Sequence, residues 1–212
     1  MGMKIITIGR QFGSNGRNIG KLVADKLGVS YYDKEILKLA AKNSGVCEDL
    51  LQNLDEKPNK SFLYSVVMDP YAFAYSYNNS GYSMNLNQQA FQATFETIRD
   101  LADKESCVIV GRCSDYILRE RNDVLNVFIY APLEERIKIV SERFPELSET
   151  KVKDQINKED KARASYYNYY SSKKWGKMES YDLCIDSSIM SLENSADLII
   201  NAFKNGKKST NN

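Results

Sequence analysis

Three short runs constrain the fold of this chain more than any other feature. MKIITIG (3–9), CVIVGR (107–112) and VLNVFIYA (124–131) are apolar and β-branched almost throughout. A strand with one wet face alternates apolar and polar side chains. These do not, so both of their faces are covered, as in a parallel sheet between two helical layers. VSYYD (29–33) and YDLCIDSS (181–188) read as two further strands. Helical stretches lie between them. Ile19, Leu22, Val23 and Leu27 fall at helical spacing before Gly28, KEILKLAAKNSG stops at Gly45, and CEDLLQNLDEK stops near Pro58. NLNQQAFQATFETIRDLADKES (85–106) puts Phe91, Phe95, Ile98 and Leu101 on one helical face. YILRER, PLEERIKIVSERF, most of 149–177 and LENSADLIINAFKNG read as further helices, and KKSTNN as a disordered tail. The expected class is α/β, a parallel sheet with helices on both faces. Its ligands belong beyond the strand ends at Gly9-Arg10, Gly111-Arg112, Tyr130-Ala131 and Asp186-Ser187.

Composition narrows the chemistry. The 212 residues carry a formal net charge of +1, so no whole-molecule field draws the chain to nucleic acid or anionic membrane. No apolar run is long enough to cross a bilayer, and MGMKIITIGR enters a strand without a signal-peptide plan, which fits a cytoplasmic chain. Cys47, Cys107, Cys113 and Cys184 form no CxxC pair and read as reduced, mostly buried thiols. There is no histidine. The commonest zinc ligand and the usual neutral-pH proton shuttle are therefore missing, and no metal site built from protein ligands alone is expected. Chemistry falls to carboxylates, arginines, backbone amides and a Mg²⁺ ion carried in with a nucleotide.

GRQFGSNGRNIGK (9–21) follows the first strand and opens the first helix. Glycines let successive amides point at an anion, and a helix N-terminus adds partial positive charge. Gly13, Ser14, Asn15, Gly16, Arg17 and Asn18 would form such a phosphate cradle, with Arg10 and Arg17 as its cations. The strict phosphate-loop pattern ends in Gly-Lys-Ser/Thr, whereas this loop ends in Gly16-Arg17-Asn18 and has Gln11 where the first glycine would stand. The alternative is a tight turn that binds nothing.

GRQFGSNGRNIGKLVADKLGVSYYDKEIL, VIVGRCSDYIL, NVFIYAPLEERI, DKARASYYNYY and YDLCIDSS follow one another in an order that resembles the cytidylate kinase-like family, relatives of the nucleoside monophosphate kinases. The resemblance spans roughly residues 3–205. It implies a three-layer P-loop kinase fold in one domain: a core of 1–45, 105–147 and 178–205, an acceptor-binding insertion over about 46–104, and a helical lid over about 148–177. It implies ATP with Mg²⁺ as donor, a small acceptor, and no partner among nucleic acids or membranes. On that template Asp33 orients or deprotonates the acceptor, Arg112 holds it, and the Asp160–Arg163 pair belongs to the lid, with Arg163 reaching the phosphates. Two departures stand out. On the register anchored on the first helix, the lysine and hydroxyl positions of the kinase loop fall on Gly16 and Arg17, so Arg17 is the expected substitute cation from one position further on, and Ser14 or Asn18 the group nearest Mg²⁺. The Arg-Asp pair that reads cytosine becomes Arg112-Cys113, with Asp115 two residues on.

The lid stretch 151–177 holds eight Lys or Arg against three acids, which suits a cation brought onto a migrating phosphoryl group as well as it suits a solvated helix face. Tyr64, Tyr71, Phe73, Tyr75, Tyr77 and Tyr82 could stack on an acceptor, pack the insertion or form a homodimer contact, and YYNYY with Trp175 poses the same choice in the lid. The leading expectation is phosphoryl transfer from ATP to a nucleoside monophosphate such as CMP, with Arg17, Arg163 and Asp33 as catalytic residues. The alternatives are a nucleotide-binding regulatory protein without kinase activity and a kinase of a non-nucleotide metabolite.

Overall fold

A computed structural model describes residues 3–53 and 86–206. Five parallel strands form one sheet in the order β2-β3-β1-β4-β5. They are β1 (Ile5–Arg10), β2 (Ser30–Tyr32), β3 (Cys107–Val110), β4 (Val124–Tyr130) and β5 (Leu183–Asp186). β1 is central, with Ile5 level with Cys107 on one side and Val124 on the other. The loop that leaves it is therefore flanked by the ends of β3 and β4.

The continuous apolar runs are explained by two cores, one on each face. Ile6, Ile8, Val108, Val110, Val127 and Ile129 pack against Ile19 and Val23 of α1 (Gly16–Leu27) and Ala196 and Ile199 of α8 (Leu192–Asn205). Ile5, Cys107, Ile109 and Val124 pack on the other face against Ile36 of α2 (Glu35–Ser44) and Ile98 and Ala102 of α4 (Leu86–Lys104). Successive strand residues alternate between two dry cores, so most positions along β1 and all of β3 are apolar for a packing reason. Thr7, in mid-strand on β1, is buried with its hydroxyl donating to Asn126 Oδ1 at 2.7 Å. Burying each such isoleucine contributes about 2 kcal/mol. α3 (Glu48–Asn53) and α4 bracket the stretch from which the tyrosines at 64–82 come, and those tyrosines, like the tail from residue 207, lie outside the described residues.

α6 (Leu133–Arg143) and α7 (Glu149–Ser171) follow β4 in the chain. Two sequence expectations need correction. The helix placed at YILRER is α5 (Ser114–Ile117), which begins two residues earlier because it issues directly from the turn after β3. All four cysteines are free, but Cys47 and Cys184 are exposed and only Cys107 and Cys113 are buried. Among the described residues no helix is long and apolar enough to cross a membrane.

Candidate functional site

The loop between β1 and α1 has a conformation that only its sequence permits. Gly13 has φ +81° and Asn15 has φ 57°, so the chain turns left-handed twice before the helix begins. A Cβ on Gly13 would sit 2.8 Å from Val140 Cγ2. α1 starts at Gly16, and its first-turn amides, those of Gly16, Arg17 and Asn18, point out of the helix end with no carbonyl four residues back. Ser14 is fully buried, its hydroxyl donating to the carbonyls of Gln11 (2.9 Å) and Ile129 (3.0 Å). That corrects the expectation of Mg²⁺ near Ser14. Its side chain holds the loop to β4, and Asn18 is the exposed one of the two.

The loop is also gripped from outside. Asp160 Oδ1 accepts from the amide of Phe12 at 2.7 Å, while Arg136 Nη1 donates to the carbonyl of Phe12 (3.3 Å) and to Asp160 Oδ2 (2.6 Å). One turn along α7, Arg163 Nη1 donates to the carbonyl of Arg10 at 3.2 Å, with its guanidinium 5.5 Å from the centre of the Phe12 ring. The Asp160–Arg163 pair is thus placed on the loop backbone, one residue on each side of Gln11. Arg136 was not found from the sequence, where it reads as an ordinary cation on an amphipathic helix.

Asp33 follows β2 and is 4% exposed. Arg17 Nε lies 2.5 Å from its Oδ2, Arg112 Nη1 lies 2.9 Å from its Oδ1, and Arg10 Nη2 stands farther off at 4.0 Å. Three of the four arginines singled out in the sequence therefore meet at one carboxylate. Both of its oxygens already accept from guanidinium groups, so the arrangement suits orientation of an acceptor better than removal of its proton. Arg17, expected to stand in for the loop lysine, is directed to Asp33.

Arg112 reaches Asp33 through an unusual turn. Gly111, Arg112 and Cys113 have φ of 80°, 54° and 55°. Two consecutive non-glycine residues in the left-handed region cost about 2–4 kcal/mol together. The turn is held because Arg112 also donates to the carbonyl of Val110 (3.1 Å), Gly111 N donates to Ile8 O (3.0 Å), and Cys113 packs against Tyr166 and Tyr167. Asp115, the candidate acceptor-binding acid two residues beyond Cys113, is buried and accepts from the Tyr167 hydroxyl at 2.6 Å. With Arg10, Arg112 and Arg163 it lines a small recess. Burial pushes its carboxyl above the ordinary carboxylate range, with the Tyr167 hydrogen bond pulling the other way, and burial together with Asp115 raises the Tyr167 phenol.

A cleft of about 940 Å³ opens in front of the loop. Eight of its twenty lining residues are Lys or Arg and one, Glu159, is acidic. They include Arg10, Arg17 and Arg112 from the strand ends and Lys158, Lys161 and Arg163 from α7. Arg143 at the end of α6, and Lys34, also line it and were not anticipated. α7 crosses the cleft anchored at both ends. Val152 and Ile156 pack on Val140 of α6, and Tyr166 and Tyr167 on Cys113, with Phe91 and Tyr170 stacked at 3.9 Å. The YYNYY tyrosines thus pack the far anchor of this helix. Among the described residues no group of three or more Cys, Asp or Glu is placed to hold a metal ion.

Residues 5–189 match the model of the cytidylate kinase-like family. An uncharacterized protein from Eubacterium ventriosum is similar in structure, with 28% identity and a TM-score of 0.70 over 95% of this chain and 98% of that one. Shikimate kinase from Acinetobacter baumannii, in complex with shikimate, aligns at 13% identity and a TM-score of 0.49, over 94% of this chain and 92% of that one. Deoxyadenosine kinase from M. mycoides aligns at 12% and 0.42, over 93% and 97%. No curated protein matches the chain.

Proposed function

The chain belongs to the cytidylate kinase-like family, and from that premise we propose that it transfers a phosphoryl group from ATP to a small acceptor, a nucleoside monophosphate such as CMP first among them. The observation that carries this reading is the cleft. An exposed helix N-terminus, a glycine-bearing loop and eight cations face one space large enough for a nucleotide and its acceptor. Phosphoryl transfer asks little covalent chemistry of a protein and much positioning and positive charge, which is what this site contains.

In the proposed arrangement the amides of Gly13 to Asn18 hold the donor phosphates. Arg163, fixed to the loop through the Arg10 carbonyl, stands over the migrating group. Arg112 holds the acceptor, and Asp33, oriented by Arg17 and Arg112, aligns its nucleophilic oxygen. The insertion over about 46–104 receives the acceptor, and the stretch 148–177 serves as the lid. Mg²⁺ would arrive on the donor phosphates, whose charge it neutralises. Asn18 is the loop side chain suited to touch its waters, and the described protein supplies no metal site of its own.

One observation favours a second reading. The loop has neither a lysine nor a hydroxyl at the kinase positions, where Gly16 and Arg17 stand, so a nucleotide-binding regulatory protein without transfer activity fits the same cleft. Coupled ADP-release assays with ATP or GTP and Mg²⁺ against each nucleoside monophosphate, and then small hydroxyl metabolites, separate the two. Turnover that Arg163→Ala abolishes supports the kinase. Tight ATP binding with no product from any acceptor supports the regulator. No nucleotide binding at all overturns both.

A further inference from the structure

Phe12, the last residue before the left-handed Gly13, has both of its backbone polar groups taken by one ion pair. Its N–H donates to Asp160 Oδ1 at 2.7 Å, and its carbonyl accepts from Arg136 Nη1 at 3.3 Å. The same Arg136 nitrogen lies 2.6 Å from Asp160 Oδ2, so the three groups close a ring. Arg136 is 7% exposed and works from behind the loop, where an ideal Cβ on Gly13 would lie 3.1 Å from both its Cβ and its carbonyl oxygen. The Phe12–Gly13 peptide is trans, and a trans peptide points its C=O and its N–H in opposite directions. Holding the Phe12 carbonyl at Arg136 therefore turns the Gly13 N–H away from α6.

We propose that Arg136 is a positioning residue for the donor: with Asp160 it sets the Phe12–Gly13 peptide, and with it the direction of the first amide of the phosphate cradle. This rests on the kinase reading above, in which the amides of Gly13 to Asn18 hold the donor phosphates. Amides aimed at one anion repel each other, so a cradle that is ready for its ligand has to be held from outside. The two helices do not need the ion pair to stay together. Val140, Val152 and Ile156 already pack α6 on α7. A pair this little exposed is also a weak source of stability, since its attraction is set against the loss of hydration. What it adds is direction. α6, α7 and the loop meet at one guanidinium, and Arg163, three residues on from Asp160, holds the Arg10 carbonyl on the other side of Gln11.

The test separates position from stability. It reads MgATP affinity, acceptor KM, kcat and melting temperature together, with binding measured well below the melting point. Arg136→Met/Asp160→Asn removes both charges at once and leaves no carboxylate unpaired. It should weaken MgATP binding by about 10-fold or more and lower kcat, with the acceptor KM unchanged. Asp160→Asn alone, nearly isosteric, should weaken MgATP binding in the same direction, and it carries the test if the double variant does not fold. Val152→Ala loosens the same helix pair without removing a hydrogen bond to the loop. It should lower the melting temperature while MgATP affinity stays within about 2-fold of the wild type. Wild-type MgATP affinity in the charge-removing variants overturns the inference and leaves the kinase reading intact. So does a Val152→Ala protein that loses as much affinity as they do. A wild-type protein that binds no MgATP removes the kinase reading itself, and this inference with it.

Discussion

Two Gly-Arg pairs end two neighbouring strands of this sheet, Gly9-Arg10 on β1 and Gly111-Arg112 just beyond β3. Both arginines are buried, at 7% and 2% exposure, and both turn toward Asp33. They arrive there by different routes. Arg10 is still in the strand, and the left-handed residues come later, at Gly13 and Asn15. Arg112 is itself left-handed, between a left-handed glycine and a left-handed cysteine. The first turn opens a gap and presents amides to the cleft. The second closes a gap, driving a guanidinium 2.9 Å from a buried carboxylate. The same dipeptide can therefore serve a loop that binds through its backbone and a turn that binds through a side chain. What decides between them is the packing that follows: Val140 and Arg136 behind Gly13, and Tyr166 and Tyr167 behind Cys113.

The largest effect should come from removing the closing turn's side chain. Arg112→Ala leaves Asp33 buried with one oxygen deprived of its guanidinium, and breaking such a pair costs about 3–5 kcal/mol. Denaturant titration should show that loss, and kcat/KM for the acceptor should fall by about 100-fold or more, with little change in MgATP affinity. A variant of wild-type stability with an unchanged acceptor KM would mean that Arg112 is not the partner that matters. Arg112→Lys should not rescue it, because an ammonium cannot serve Asp33 and the Val110 carbonyl in the same planar geometry.

The two glycines sharpen the comparison. Gly13→Ala forces a Cβ into the left-handed region and against Val140 at 2.8 Å, a cost of about 2–4 kcal/mol. Gly111→Ala, at φ 80°, should cost about 1–2 kcal/mol from backbone strain. Expressed as shifts in denaturant midpoint, the first should exceed the second. If the order reverses, the packing behind Gly13 is softer than its contacts indicate. Gly13→Ala should also weaken MgATP binding, whereas Gly111→Ala should act on the acceptor KM.

The two turns also differ in how much of them could be read from the chain. The parallel sheet with helices on both faces follows from nearly unbroken apolar runs, because two dry faces leave few positions for a polar residue, and the two in mid-strand, Thr7 and Asn126, bond to each other. The glycine loop is legible because Gly13 and Gly16 are local signals. The turn after β3 is not. Arg112 and Cys113 carry no composition that marks a left-handed backbone, since what holds them there comes from Tyr166 and Tyr167, more than fifty residues away. The setting of Asp115 is hidden for the same reason. Its charge suggests a polar ligand, but its partner is a tyrosine on α7. Arg17 was chosen for the missing lysine by counting along the chain, and its contact with Asp33, sixteen residues on, is not legible there. Sequence order gives the elements. The direction of each cation within the site depends on contacts between elements far apart in the chain.

The smallest effect concerns the Asp115–Tyr167 contact and is a matter of pH. Burial raises the Asp115 carboxyl above its ordinary value of 3.8, so the folded protein holds that proton more tightly than the unfolded chain does. For an acid shifted upward the linkage runs opposite to that of a salt-bridged carboxylate. The stabilising contribution is fully present below the ordinary value and is lost as pH rises through the raised one. Asp115→Asn keeps an acceptor for the Tyr167 hydroxyl but has nothing to titrate. The difference in melting temperature, variant minus wild type, should therefore grow as pH rises from about 4 and then level off, by about 2–5 °C in all. Using the difference cancels the other carboxylates, whose slopes are common to both proteins. A difference that stays flat between about pH 3 and pH 8 would mean that Asp115 is not desolvated by the aromatic cluster. The strained turn would then owe its position to the Arg112–Asp33 ion pair rather than to its attachment to α7.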